Sequence, residues 1–433
     1  MSFFNISNNN FIEYLHYQLM IRLFGLVALN DPFSTNEGTD EGVSGLVGSV
    51  LSMKLRKLSL AKGGLIGPLI KKLVFRNVHM SLLSQKKLRQ HLSWIVARLR
   101  ILHKCPRQLS LIPLIDYHSK LAHDFAVDPT SGHVAVITDK FVDVLNSNGM
   151  RIFNVETENS SFSSRVAFGG EDKNKILAVC SGNEIGLYKV PTVRDHPQNM
   201  MRGMAKLSCT QKMSSSATVN TVQFSPDGSV LIIGLSDKTV LIFKKKYLSN
   251  GTEEWVSVET LPEQTGEITS IAFCQRPEIP LTLAIGLSNN TIKIWEISSD
   301  EGKPSCCVDT LAGHSSCVTS VSFHPYFKTL ASGSNDKTVK VWIPNANGKF
   351  ICMLTLEHGS PVRSVAFSPC GFLVSGGKMM DLCKIWRIFM STTCVNAELV
   401  LFQFVGGGID QLIFCPKTGN LRIRTYNGLI SLE

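Results

Sequence analysis

Negative charge is missing from a long stretch near the start of this chain: no Asp or Glu lies between Gly42 and Ile115. Paired thiol spacings are missing too. Twelve cysteines run from Cys105 to Cys415 without a CxxC, and adjacent Cys306 and Cys307 cannot easily meet disulfide geometry. That excludes a disulfide scaffold and predicts free thiols, buried in strands, in a reducing compartment. The eleven histidines form no HExxH and no metal-cage spacing. GGLIGPLIKK lacks the GxxxxGK spacing of a phosphate loop and has no strand before it. Neither a GxSxG elbow nor a GxGxxG after a strand is present. The expectation is a chain without catalytic residues, cofactor or metal.

Uninterrupted apolar runs are also scarce. Residues 11–29 carry Glu13, His16, Gln18 and Arg22, and so read as an amphipathic helix packed on protein rather than a membrane span. No clear cleavage site follows, and Glu13, Asp31, Glu37, Asp40 and Glu41 sit where a mitochondrial presequence avoids acids. An intracellular setting, cytoplasmic or nuclear, is expected.

What is present is ordinary folded material: 44% hydrophobic and 18% charged residues are the proportions of a globular chain, not a disordered one. The net charge of +10 is localised. Residues 1–110 hold 15 Lys/Arg against 5 Asp/Glu, and the remainder carries 29 of each, so two electrostatically different regions are joined.

A single pattern recurs through the neutral region. Phenylalanine returns in a similar setting at Phe125, Phe168, Phe224, Phe273, Phe323, Phe367 and Phe414, in steps of 43, 56, 49, 50, 44 and 47 residues. That period suits units of four short strands, about 40–45 residues plus insertions. In each unit an alternating strand ends at the Phe and a Pro/Asp/Gly turn follows. A second strand then leads to a tight polar turn (LSDKT, LSNNT, SNDKT). A third strand ends on a large apolar residue (VLIF, IKIW, VKVW, CKIW), and a fourth closes the unit (WVSVETL, CCVDTL, ICMLTL, ELVLFQF). The seventh unit has only three strands before the chain stops. Residues 108–116, QLSLIPLID, match the other fourth strands and would close the ring.

These units resemble the WD-repeat family over roughly residues 109–433. The fifth is the best match, with Gly313–His314 before its first strand, Asp336 in its tight turn and Trp342 ending its third strand. The resemblance implies a structural hydrogen-bond relay of His314, Ser332, Asp336 and Trp342. In the sixth unit it implies His358, Ser375, Asp381 and Trp386, with Asp381 displaced by one extra turn residue. The third and fourth units lack the His, and the third has Phe243 in place of Trp. No Asp follows Trp295, Trp342 or Trp386, and the first, second and seventh units are degenerate. The implied fold is all-β: a seven-bladed propeller closed by strands from both ends over residues 108–433. Propellers of this family dock peptides and proteins on the face formed by the turns between blades, so other proteins are the expected partners of a monomeric propeller within a larger complex.

Residues 1–107 read as a basic, mainly helical extension with a Gly/Ser/Thr-rich linker near 31–50. Its clearest helix, 81–104, places Leu88, Leu92, Ile95, Val96, Leu99 and Leu102 on one arc, with Lys86, Lys87, Arg89, Trp94, Arg98 and Arg100 opposite. Lys71 and Lys72 add charge upstream. Packing of the apolar arc on the propeller rim, RNA held through residues 42–107 with Trp94 stacking on a base, and an acidic partner protein all remain open readings. Membrane contact is the less favoured one. The Met-rich stretch 199–206 reads as a loose insertion between strands of the second unit.

Overall fold

The structure is a computed structural model that describes residues 111–432 except 117–121, 139–140, 148, 157–163, 171–173, 192–204, 248–252, 276–280, 299–302, 378–379 and 391–394. The expected basic helical extension, including the linker near 31–50, lies outside these residues.

The strands fall into seven sheets, six antiparallel ones of four strands and one that adds a fifth strand to an antiparallel four. Blade three shows the plan: Val219–Phe224, Val230–Leu235, Val240–Tyr247 and Glu253–Leu261, paired in that order. Blades four, five and six repeat it from Ile268, Val318 and Val362. First strands of successive blades pack against one another, and that of blade seven, Ile409–Phe414, meets that of blade one, Asp124–Val127. The ring is closed.

Closure uses both ends of the propeller sequence. Leu111–Asp116 pairs antiparallel with Gly428–Leu432 as the outer strand of blade seven.

The core lies between blades rather than within one centre. Seven clusters of buried apolar side chains are found among the described residues, one at each junction of neighbouring blades. The last joins Phe125, Val134, Val136 and Leu145 of blade one to Leu429 of blade seven. Second strands are buried on both faces, which explains their continuous apolar runs; Val230–Leu235 is buried throughout. The recurring phenylalanines fill the junctions, as Phe273 and Phe323 do with about 5% or less of their surface exposed. Each such side chain contributes on the order of 1.5–3 kcal/mol. A small residue in the second strand lets the blades approach: a Cβ on Gly333 would lie 2.5 Å from Cγ1 of Val362 in the next blade.

Two expectations need correction. Ala205 and Lys206, at the end of the Met-rich stretch, are not loose: they pair in parallel with Phe153 and Asn154 as a fifth strand on blade one. Exposed backbone at a sheet edge takes a strand when one is within reach. The ten described cysteines are free, and Cys180, Cys274, Cys370, Cys383 and Cys415 are buried, but Cys306, Cys307 and Cys352 are exposed. The last three belong to outer strands, whose edges meet solvent.

Candidate functional site

Antiparallel order puts two kinds of connection at the same end of each blade: the tight turn between second and third strands, and the loop leading into the next first strand. In blade five, Val318 pairs with Ser334, so His314 and Asp336, just beyond these residues, share that end.

There the side chains make a chain of bonds. Trp342 Nε1 donates to Ser332 Oγ at 2.8 Å, and Ser332 Oγ is 2.7 Å from His314 Nε2. His314 Nδ1 is 2.7 Å from Asp336 Oδ2. Because the indole can only donate, the serine proton is free for Nε2, and a neutral imidazole with its proton on Nδ1 satisfies every member. Burial holds the His314 pKa below its usual value despite the pull of Asp336. Burial alone would raise Asp336, but bonds from Thr338 and His314 outweigh it and bring the carboxyl to about 2. The Thr338 N–H and hydroxyl both donate to Asp336 Oδ1, at 2.9 and 2.7 Å, which ties the carboxylate to its own turn. That turn needs a left-handed residue, supplied by Lys337 at φ 68°. A Cβ on Gly313 would come within 3.0 Å of the Trp342 ring, so the Gly–His pair lets the loop lie on the indole. Spent on one another, these groups hold shape rather than perform chemistry.

Blade six assembles only some of this set. Trp386 Nε1 donates to Ser375 Oγ at 2.9 Å. His358 is buried but faces Ser360, with Nδ1 3.4 Å from its Oγ, and its Nε2 has no hydrogen bond of ordinary length among the described residues. Burial and Lys384 push the His358 pKa down, against a weaker pull from the Ser375 and Ser360 main chain. Asp381 lies within the third strand, Met380–Met390, and its side chain is outside the described set. In blade four Ile285 occupies the place of Ser332, and the buried Trp295 indole N–H has no partner among the described residues. Phe243 of blade three has no indole N–H to satisfy, so Ile233 in the place of that serine leaves no side-chain donor there unpaired.

Sequence reasoning missed the groups that join blades. Ser270 Oγ accepts the Val321 N–H at 3.2 Å, Ser320 that of Val365 at 3.1 Å, and Ser364 that of Leu412 at 3.0 Å. Asp124 accepts from Val166 between blades one and two at 3.0 Å. One position earlier, Thr269 and Thr319 donate to Val318 and Val362 carbonyls of the next blade, each at 2.6 Å. A register shift in each of these two first strands falls at that threonine. Blades one and two are further joined by a buried ion pair, Lys175 Nζ to Asp128 Oδ2 at 2.6 Å. The serine recurring three residues before the phenylalanine was the available signal.

Among the described residues no group of three or more His, Cys, Asp or Glu is placed to hold a metal, and no helix is long and apolar enough to cross a membrane. The basic candidates Lys71, Lys72, Lys86, Lys87, Arg89, Trp94, Arg98 and Arg100 lie outside the described residues.

The family model described as "WD domain, G-beta repeat" matches residues 207–244, 255–296, 305–342 and 350–386. Four WD repeats lie within this seven-bladed β-propeller. Each match takes the outer strand of one blade with three strands of the next, ending at or just past Phe243, Trp295, Trp342 or Trp386. The WD-repeat unit is thus offset from the blade by one strand, and Leu111–Asp116 completes blade seven in the same phase.

Similar proteins include Protein HIR1 of Yarrowia lipolytica, 26% identical over 41% of this chain and 17% of that protein. Transcriptional corepressor LEUNIG_HOMOLOG of Arabidopsis thaliana is 28% identical over 50% of this chain and 30% of its own length. Pre-mRNA-processing factor 19 of Mus musculus is 27% identical over 39% of this chain and 31% of its own. The matched region of the chain therefore spans less than a third of each of these relatives.

Proposed function

We propose that this WD-repeat chain is a non-catalytic scaffold. Residues 108–433 act as a monomeric docking platform for proteins or peptides, and residues 1–107 hold a further partner. The observation that carries this reading is the closed ring, whose recurrent polar groups are spent on bonds within and between blades. A rigid ring loses little ordering entropy when a partner binds its turns, so contact area converts efficiently into affinity. Relatives named as a transcriptional corepressor and a pre-mRNA-processing factor support an intracellular, nuclear role in transcription or RNA processing.

A second reading is favoured by one feature, the acid-free basic stretch 42–107: this segment binds RNA. Affinity capture of the full chain beside one lacking 42–107, with and without nuclease, separates the two. Nuclease-resistant partners that survive the deletion support the propeller as platform. If every partner disappears with nuclease or with the deletion, the scaffold reading fails and the RNA reading stands.

A further inference from the structure

The outer strands of the seven blades are the exposed edges of the sheets, and most are guarded. Blade one carries the added strand Ala205–Lys206. Blade two places exposed Lys212 on its edge, and blade three exposed Glu253 and Glu254. The six-residue edge of blade four carries Asp309, which is bound to the Phe350 N–H of blade five at 2.7 Å. Blade seven has Pro113 in its six-residue closing strand. Charge, proline, brevity and covering are the usual defences against edge pairing.

Blade six has almost none of them. Its outer strand, Val395–Phe404, is ten residues long with the sequence VNAELVLFQF, the longest of the seven. Its single charge, Glu398, is engaged by Arg387 at 3.3 Å. Phe404 is 61% exposed and Leu401 36%. The outer strand of blade five touches it and adds exposed Ile351 and Met353. The exposed acidic groups on these two edges are Glu357 and Glu398, whose nearby cations are already engaged: Lys384 with the Glu357 carbonyl at 3.2 Å, Arg387 with Glu398.

We propose that the Val395–Phe404 edge takes an extended segment of a partner protein as an added strand, one that alternates apolar residues and carries Lys or Arg beside them. Main-chain hydrogen bonds supply affinity, the apolar side chains cover Phe404 on one face of the strand, and the basic residues with their alkyl stems meet Glu398 and Leu401 on the other. A second copy of this chain would bring the same acidic residues to the seam. Blade one shows that an edge of this ring accepts an added strand. This inference extends the scaffold reading to a second surface, but its test reads residues 395–404 on the full-length chain and uses no deletion of 42–107, so either can fail alone.

The probe is a fluorescent peptide, Lys-Val-Thr-Val-Arg-Val-Thr-Val-Lys, added to the full-length chain. A companion peptide is N-methylated on alternate residues, and another has Glu in place of each basic residue. Expected results are saturable binding, slowed amide exchange at 395–404, and at least tenfold weaker binding of both companions. Leu401→Lys combined with Glu398→Lys should weaken binding at least tenfold without moving the thermal transition. Exchange on the unsubstituted chain needs no variant and guards against misfolding. Absent binding, protection confined to other strands, or equal binding of all three peptides overturns the proposal. Self-association of the chain abolished by Leu401→Lys overturns it too, by assigning the edge to a second copy.

Discussion

The Trp342 indole N–H meets the Ser332 hydroxyl at 2.8 Å, whereas the same group on Trp295 has Ile285 in that serine's place and no partner among the described residues. The two tryptophans fill equivalent positions and differ in what their polar atom contributes. Trp342→Phe removes a made bond and leaves the serine with one partner fewer; Trp295→Phe removes a buried donor that was already unsatisfied. Denaturant unfolding should show Trp342→Phe to be the more damaging by about 1–3 kcal/mol. Equal losses would mean that the relay adds no more than ring volume.

Acid should weaken the propeller through the same relay. His314 is held below 6.5 by burial, so between its folded value and 6.5 the unfolded chain binds more protons than the folded one. Its contribution is therefore complete above 6.5 and is lost as the pH falls through the folded value. Asp336, at about 2 against 3.8, acts in the same direction lower down: its contribution is present above 3.8 and is lost toward about 2. Unfolding followed from about pH 7.5 to about pH 5 should show stability falling, and falling by less in His314→Gln. A wild-type chain that gains stability on acidification would contradict the neutral relay.

Blade cohesion depends on the serine clasps. Ser320→Ala strands the Val365 N–H inside the ring, and Ser364→Ala does the same to Leu412. Each should cost about 1–3 kcal/mol. Amide exchange should quicken at Val365 and Leu412 before it changes in the outer strands. Uniform quickening across all blades would place the loss elsewhere.

Much of this architecture could be read directly from the chain. Phe224, Phe273, Phe323 and Phe367 are visible because each blade junction needs a large apolar residue at the same register. The turns at Asp237 and Asp336 are visible because a short carboxylate there accepts the N–H two residues on, across left-handed Lys238 or Lys337. Leu111–Asp116 was legible because the seventh unit was one strand short. Ser270, Ser320 and Ser364 recur three residues before a phenylalanine, but their bonds to the next blade were not legible, since a serine in a strand reads as polar surface until the neighbouring blade is placed beside it. The pairing of Ala205–Lys206 with blade one was equally hidden, because two residues carry no periodicity. Blade four shows a further limit: Trp295 keeps the repeat spacing while Ile285 removes its partner, and spacing alone cannot reveal that.

Closure of the ring by strands from both ends is tested most directly by excising Leu111–Asp116 from the full chain and following amide exchange at Gly428–Leu432 through thermal unfolding. With its outer partner gone, the Gly428–Leu432 strand should lose protection, and the transition should fall by about 5 °C or more and broaden. An excised chain that melts like the intact one, with Gly428–Leu432 still protected, would show that the circle does not depend on that strand.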